Sequence, residues 1–365
     1  MMLRIPLIRL WIICFGSILI NSFFNPVTAQ NLGVYEDRRD YFFAFDDGEI
    51  IQLEFLKVQS FKVSDRYIAY VTNKSEFKIY YDGSIIKLED RAPSSYFVTD
   101  NFLFYIISGY LRVFDGRQPR TIAIWVKPPF AYSDTIIAFT DQYDYFSVFD
   151  GRKVETLDTW KAKSVRGGRN IIAYVDNSNQ FKAYYHGETY DLEPFNPIKY
   201  RTGKNIIAYV NEFNQFIIFD RGEIYEIESL RPKSFKVGDD MVAYVDNSGY
   251  FKLYENGAVT EISPIQPEAY RFKDKILVFT EPAGFFKVHY QDQTYELENY
   301  TPSMYEFDND LVAYLDVMGH LKAFYKGKIM KVSNEKINFF YVYGNVLVFN
   351  IGNNLTRIFH NGQVQ

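Results

Sequence analysis

Residues 234–262 hold, in order, Ser234-Phe235-Lys236-Val237, Gly238-Asp239-Asp240, Met241-Val242-Ala243-Tyr244-Val245, Asp246-Asn247-Ser248-Gly249, Phe251-Lys252-Leu253-Tyr254, Asn256-Gly257 and Val259-Thr260-Glu261-Ile262. The first run alternates as a half-buried strand does, and the second is a continuous apolar run suited to a strand covered on both faces. Asp246 to Gly249 and Asn256-Gly257 carry the residue chemistry of hairpin turns. The last run is a more polar strand. Four short strands with tight links fill roughly 35 residues and leave no room for a helix.

That unit repeats. A small or apolar residue followed by an aromatic recurs as Val34-Tyr35, Ala69-Tyr70, Phe104-Tyr105, Ala138-Phe139, Ala173-Tyr174, Ala208-Tyr209, Ala243-Tyr244, Val278-Phe279, Ala313-Tyr314 and Val348-Phe349, every 35 residues with a single interval of 34. Eight positions after the small residue comes Phe42, Phe77, Phe146, Phe181, Phe216, Phe251 or Phe286, softened to Leu321. A glycine turn closes most hairpins, with Asp292 replacing it once. A four-stranded meander repeated in this way predicts an all-β fold, a β-propeller of about nine or ten blades. Blades stack face to face, so alanine would let neighbouring sheets approach while the aromatic fills the space between them. A linear β-solenoid is the competing architecture, and two smaller rings are compatible with the same repeats. The mature chain is expected to open with three strands in 31–56, lacking an inner one.

Composition agrees with a β-rich interior: 31 Tyr, 34 Phe and 3 Trp make 19% of the 365 residues. The order Phe-Lys-Val, Gly-Asp, Val-Ala-Tyr-Val-Asp, Phe-Lys-Leu-Tyr, Asn-Gly, Glu-Ile across 235–262 resembles the repeats of TolB-like (WD40-like, PD40) β-propellers, and the likeness covers nearly all of 31–365. It departs from them at the Ser-Pro-Asp-Gly turn, replaced here by Val63-Ser64-Asp65, Val237-Gly238-Asp239 or Arg201-Thr202-Gly203. The additional N-terminal domain of TolB itself has no room here. The resemblance implies a fold, not an activity.

Residues 1–29 read as a secretory signal peptide, and 30–365 as one propeller domain. Arg4 and Arg9 precede an apolar stretch from Trp11 to Ile20, and Val27-Thr28-Ala29 places small residues at a cleavage point. Asn21, Asn25 and Pro26 interrupt the stretch before it reaches the roughly 20 apolar residues of a membrane span. Cleavage after Ala29 removes Cys14 and two arginines, leaving 38 basic residues against 45 acidic ones and a net charge of -7. The expected product is exported, to a periplasmic, cell-surface or extracellular location, with no membrane span and no cysteine. Its negative charge opposes nucleic-acid binding.

Catalytic and metal-binding patterns are missing, so no catalytic residue, metal or cofactor is assigned. His186, His289, His320 and His360 lie in four different repeats without zinc-site spacing and are expected to be partly exposed. Asp176 to Asn179 and Asp246 to Gly249 read as Asx turns rather than calcium loops. Asp65, Asp100, Asp134, Asp239 and Asp274 recur at the inner turn, which favours a turn role over acid–base work.

One feature breaks the uniformity. The middle of the inner strand reads Lys62, Phe97, Ala131, Arg166, Arg201, Lys236, Arg271, Glu306 and Tyr341 in successive units. Lys62, Arg166, Arg201, Lys236 and Arg271 therefore form a hypothetical basic arc at the central channel, four of them in consecutive units, able to attract carboxylate or phosphate. The plainer alternative is that each pairs with a turn aspartate or stacks on an aromatic. The expected function is a non-enzymatic binding module or scaffold of the cell envelope, taking a protein or glycan partner, anionic ligands included. The alternative is a propeller hydrolase or lyase acting on an acidic polysaccharide.

Overall fold

The computed structural model describes residues 31–352 and 354–365, so the signal-peptide reading of 1–29 and Cys14 lie outside the described residues. The strands form ten antiparallel sheets, one of three strands and nine of four, each built from strands consecutive in the chain. The first sheet holds β1 (Leu32–Glu36), β2 (Phe42–Asp46) and β3 (Glu49–Glu54). The second holds β4 (Ser60–Val63), β5 (Ile68–Val71), β6 (Phe77–Tyr81) and β7 (Ser84–Glu89). Eight more of the second kind cover 95–124, 127–158, 164–193, 199–228, 234–263, 269–298, 305–333 and 337–364. These are blades 1 to 10. The ring closes where Phe45 of blade 1 packs with Val346, Val348 and Ile358 of blade 10. One ring of ten blades results, neither a solenoid nor two rings.

The repeat explains the packing. The second strand of each four-stranded blade is covered on both faces, and Ala243 and Tyr244 are both 0% exposed. The phenylalanine eight positions after the small residue meets the strand-two aromatic of the next blade. Phe42–Tyr70, Phe77–Tyr105, Phe146–Tyr174, Phe181–Tyr209, Phe216–Tyr244, Phe251–Phe279 and Phe286–Tyr314 all have centroids 4.9 to 5.7 Å apart. Each such pair contributes about 0.5–1.5 kcal/mol beyond its buried area. Ion pairs cross the same seams: Glu54–Lys78 at 2.8 Å, Glu228–Lys252 at 2.8 Å and Glu298–Lys322 at 2.6 Å.

The outer hairpins turn as their sequence requires. Asn256 and Gly257 have φ of 50° and 80°, the pair of positive values that a type I′ turn needs. Asp292, standing where glycine is usual, adopts φ 58°, which aspartate tolerates better than most residues. Short turns leave little chain with which to build a pocket above the blades, so the channel and the seams carry the cavities.

Candidate functional site

The inner strands are short and held in register by the second strand, so equivalent side chains come to one level of the channel wall. Arg166, Arg201 and Lys236 sit opposite Ala173, Ala208 and Ala243, and Arg271 sits opposite Val278. Arg166, Arg201 and Lys236 line one cavity of about 560 Å³ together with Tyr132, Thr202 and Phe272. Arg271 and Lys62 are not in that lining. The Arg271 guanidinium lies 5.3 Å and 5.2 Å from the rings of Tyr305 and Phe307, and Lys62 Nζ lies 4.4 Å from the Phe97 ring.

Stacking, not pairing with turn aspartates, is what holds Lys62, Arg166, Lys236 and Arg271. Arg166 lies 5.3 Å from the Tyr200 centroid and Lys236 Nζ 4.9 Å from that of Tyr270, each ring belonging to the following blade. Lys236 Nζ also donates to the Tyr270 carbonyl. Among the described residues none of Arg166, Arg201, Lys236 and Arg271 has a carboxylate within ion-pair distance. Burial, then the charges of Arg201 and Arg271, hold the Lys236 pKa below its ordinary value. The like charges around Lys236, with no carboxylate to offset them, make a positive field at this level of the wall.

The inner turns make the opposite charge. Arg169 Nη2 lies 2.5 Å from Asp100 Oδ2, Nε 2.5 Å from Asp134 Oδ2, and Nη1 3.1 Å from Asp239 Oδ2 and 3.0 Å from Asp274 Oδ1. One guanidinium therefore ties the turns of four other blades. Asp65 instead accepts from Asn309 Nδ2 at 3.2 Å, a contact across 244 residues of sequence. Burial first, then the neighbouring Asp100 charge, raises Asp65 and Asp134 to about 6. Burial and a hydrogen bond with Asp308 raise Asp274 to about 6. For Arg169, burial alone would lower the pKa, but Asp134, Asp239 and Asp274 outweigh it and hold the guanidinium firmly charged.

A belt of backbone bonds sets these turns against one another. Asp134 N donates to Arg169 O at 2.9 Å, Arg169 N to Gly203 O at 2.9 Å, Lys204 N to Asp239 O at 2.5 Å and Asp239 N to Asp274 O at 2.8 Å. The approach is so close that a Cβ on Gly168 would lie 1.7 Å from Gly203 O, and one on Gly203 2.0 Å from Gly238 O. Glycine here is a requirement of the turn-to-turn contact.

Sequence reasoning found the acids of this column but not Arg169, which occupies the same turn position in its own blade. Reading the column in register as Asp65, Asp100, Asp134, Arg169, Lys204, Asp239, Asp274, Asn309 and Gly344 exposes a lone arginine among carboxylates. The turn role expected for those acids is therefore incomplete, since four of them converge on one partner. The Asx turns are as expected: Asp176 Oδ1 accepts from Ser178 N and Gln180 N at 2.8 and 2.9 Å. The histidine expectation needs correction. His186 and His320 keep some exposure, but His289 and His360 are 9% and 6% exposed, and His360 lies edge-on to Phe45 at the ring seam. Among the described residues no group of three or more His, Cys, Asp or Glu is arranged to hold a metal ion, and no helix is long and apolar enough to cross a membrane.

Comparison with known proteins places this geometry. Among solved structures the chain is similar to the computationally designed Ika8 protein, with 14% identity over 73% of this chain and 96% of that one and a TM-score of 0.36. It is similar to yeast RCC1 (Prp20), solved bound to Kap60, with 11% identity over 54% and 70% and a TM-score of 0.34. The BamB protein of Moraxella catarrhalis gives 11% identity over 72% and 95% and a TM-score of 0.31. Such low scores carry nothing about function. No curated protein matches the chain. The resemblance to TolB-like repeats holds at the level of the propeller, without support for TolB in particular. Residues 26–364 match the model of the 10-bladed beta propeller domain, and the chain belongs to that family.

Proposed function

We propose that this propeller is an exported, non-enzymatic binding module whose channel wall takes an anionic ligand carried by a protein or a glycan. The observation that carries the reading is the side-by-side placement of Arg166, Arg201 and Lys236 around one cavity of about 560 Å³ with no carboxylate partner among the described residues. Arg166 and Lys236 are held against aromatic rings and all three cations are free of carboxylates, so an incoming carboxylate, sulfate or phosphate meets its donors without first breaking an ion pair. The acidic inner turns speak against the hydrolase or lyase alternative. An acid–base pair needs two carboxylates free to exchange protons with substrate, whereas Asp100, Asp134, Asp239 and Asp274 are occupied by Arg169.

The test is titration calorimetry with oligogalacturonate, heparin oligosaccharide and an uncharged oligosaccharide of equal length, alongside assays for release of reducing or unsaturated ends. Binding of the charged probes alone is expected, weakened about tenfold or more in Arg166→Ala/Arg201→Ala, the loss of two charge-assisted contacts. Equal binding of the neutral probe, or unchanged affinity in the double variant, removes the channel as the site. Turnover of any probe removes the non-enzymatic reading.

A further inference from the structure

The inner edge of blade 1 is where the ring departs from its own repeat. On its β2 side, β1 is flanked by two bonds: Asp47 N donates to Asn31 O at 3.3 Å and Asp37 N to Tyr41 O at 3.0 Å. Bonded pairs alternate along an antiparallel ladder, so Gly33 and Tyr35 face β2 while Val34 turns its N–H and C=O to the other side. In blade 2 the equivalent residue, Ala69, faces Lys62 of β4, and the flanking bond from Ser64 N to Tyr67 O at 2.9 Å makes Lys62–Ala69 a bonded pair. Val34 has no such partner among the described residues although it is 2% exposed. A buried peptide group left unpaired is costly.

The side chains around this edge are arranged for a missing neighbour. Phe61 is 39% exposed, whereas the aromatics at its position in other blades, Tyr96, Tyr200, Phe235 and Tyr270, are 8%, 8%, 3% and 7% exposed. Beside Val34 lies a cavity of about 590 Å³ walled by Tyr35, Phe61, Phe339 and Tyr341. Blade 10 carries Thr356 at the position of the inter-blade phenylalanine. Tyr35 stacks instead on Phe43 of its own blade, 5.2 Å away, which keeps the space open.

We propose that this cavity is a strand-addition site that takes one extended peptide segment of a partner protein, pairing with the Val34 edge of β1. Three of the other blades, the adjoining blade 2 among them, supply a template for the occupant's chemistry. Their inner strands run polar, aromatic, basic, β-branched: Ser60-Phe61-Lys62-Val63, Ser234-Phe235-Lys236-Val237 and Lys199-Tyr200-Arg201-Thr202. The cation of an added strand reaches the ring of Phe61 as Lys62 reaches that of Tyr96, 5.4 Å away. Backbone bonds supply affinity and the alternate side-chain sites supply selectivity. A second copy of this chain is a poor donor, because its inner strands are already paired within their blades. The inference does not depend on the basic wall. It rests on cleavage after Ala29, because residues 25–28 stand one 35-residue repeat before 60–63 and are the rival occupant.

The experiment has two arms. Mass spectrometry of the exported protein reports its first residue, which is expected to be Gln30. That protein is then titrated with a fluorescent peptide copying residues 58–64, and with versions N-methylated at the lysine or at the phenylalanine. Saturable binding is expected, weakened about tenfold by methylation at the lysine, whose amide faces Val34, and unchanged by methylation at the phenylalanine. Phe339→Ala/Tyr341→Ala should weaken it without changing the unfolding midpoint. Absence of binding, or equal effects of the two methylations, overturns the proposal. So does an exported chain that begins at or before Asn25 and refuses the peptide while a chain starting at Gln30 accepts it, which would make the chain's own segment the occupant.

Discussion

Arg169 Nη1 lies 3.0 Å from Asp274 Oδ1, a residue 105 positions further along the chain and three blades away around the ring. Together with Asp100, Asp134 and Asp239 this makes a crossed brace over the inner turns. It is a contact set that no pair of neighbouring blades could form by itself. Its carboxylates outnumber its cation, and burial first, with the neighbouring carboxylates adding to it, raises the pKa values of Asp134, Asp239 and Asp274.

The first prediction concerns pH. Asp65, Asp134 and Asp274 stand at about 6, above the ordinary carboxylate value near 3.9. The folded state therefore binds protons the unfolded chain does not. Their contribution to stability is fully present below about pH 4 and is lost as pH rises through about 6. Glu255, raised to about 7 by burial and a hydrogen bond with Asp292, acts in the same direction. His289 and His360, both lowered by burial, act oppositely and lose stability as pH falls through their range. Six raised acids, Asp239 and Glu193 included, against two depressed histidines predict a higher urea midpoint at pH 5 than at pH 7.5. The trend should flatten in Asp134→Asn. A midpoint that climbs steadily from pH 5 to 7.5 is the contrary result.

The second prediction follows from removing the cation. Arg169→Ala leaves four carboxylates facing one another without the cation they share, at a cost of about 3–5 kcal/mol at neutral pH, as for a broken buried ion pair. Protonation relieves their repulsion, so the loss should shrink on acidification to pH 5. Arg169→Lys keeps the charge but reaches fewer of the four acids, and should lie between the two. A loss that is the same at both pH values would show that the brace is packing rather than charge.

The third prediction is steric. Gly203→Ala places a methyl group 2.0 Å from Gly238 O, against backbone held in the turn-to-turn belt. Neither side can yield without breaking Arg169 N to Gly203 O or Lys204 N to Asp239 O, and a loss of about 3 kcal/mol is expected. Gly187→Ala is the informative control. Its Cβ meets nothing within 4 Å, so any loss there comes from its φ of 85° alone. Equal destabilisation by the two changes would remove the close-approach argument.

How much of this was legible in the sequence follows from the range of each interaction. Ala243-Tyr244 and Phe251 are legible because each blade meets the next in one repeated geometry, so a packing need written once is written ten times. Arg166, Arg201 and Lys236 are legible for the same reason, as one register position in consecutive blades. Arg271 has the same register, yet its guanidinium is drawn onto Tyr305 and Phe307 and out of the shared cavity. Arg169 was not legible from the repeat. Its role lies in contacts across the ring axis, and a 35-residue period encodes neighbours along the ring and nothing across it. The cavity at Val34 was half legible: three opening strands announced a missing fourth, but the exposure of Phe61 required neighbouring blades to be set side by side.

The fourth prediction bears on how the ring holds together. Phe251 is 0% exposed and touches two rings of the next blade, Tyr270 at 5.1 Å and Phe279 at 5.4 Å. Phe251→Ala should cost about 3–5 kcal/mol, the range for emptying a buried aromatic site. Phe213→Ala, at a hairpin tip where the ring is 71% exposed, should change stability by less than about 0.5 kcal/mol. The pair separates two origins of the high aromatic content. If it serves blade packing, the buried change dominates and denaturant unfolding shows the loss at once. In a repeat protein the terms are nearest-neighbour, and a closed ring broken at one seam still has nine intact ones, so the loss should first appear as faster amide exchange in the strands at 241–245 and 276–280. Uniform exchange over all ten blades would instead mean that the ring opens as a single cooperative unit.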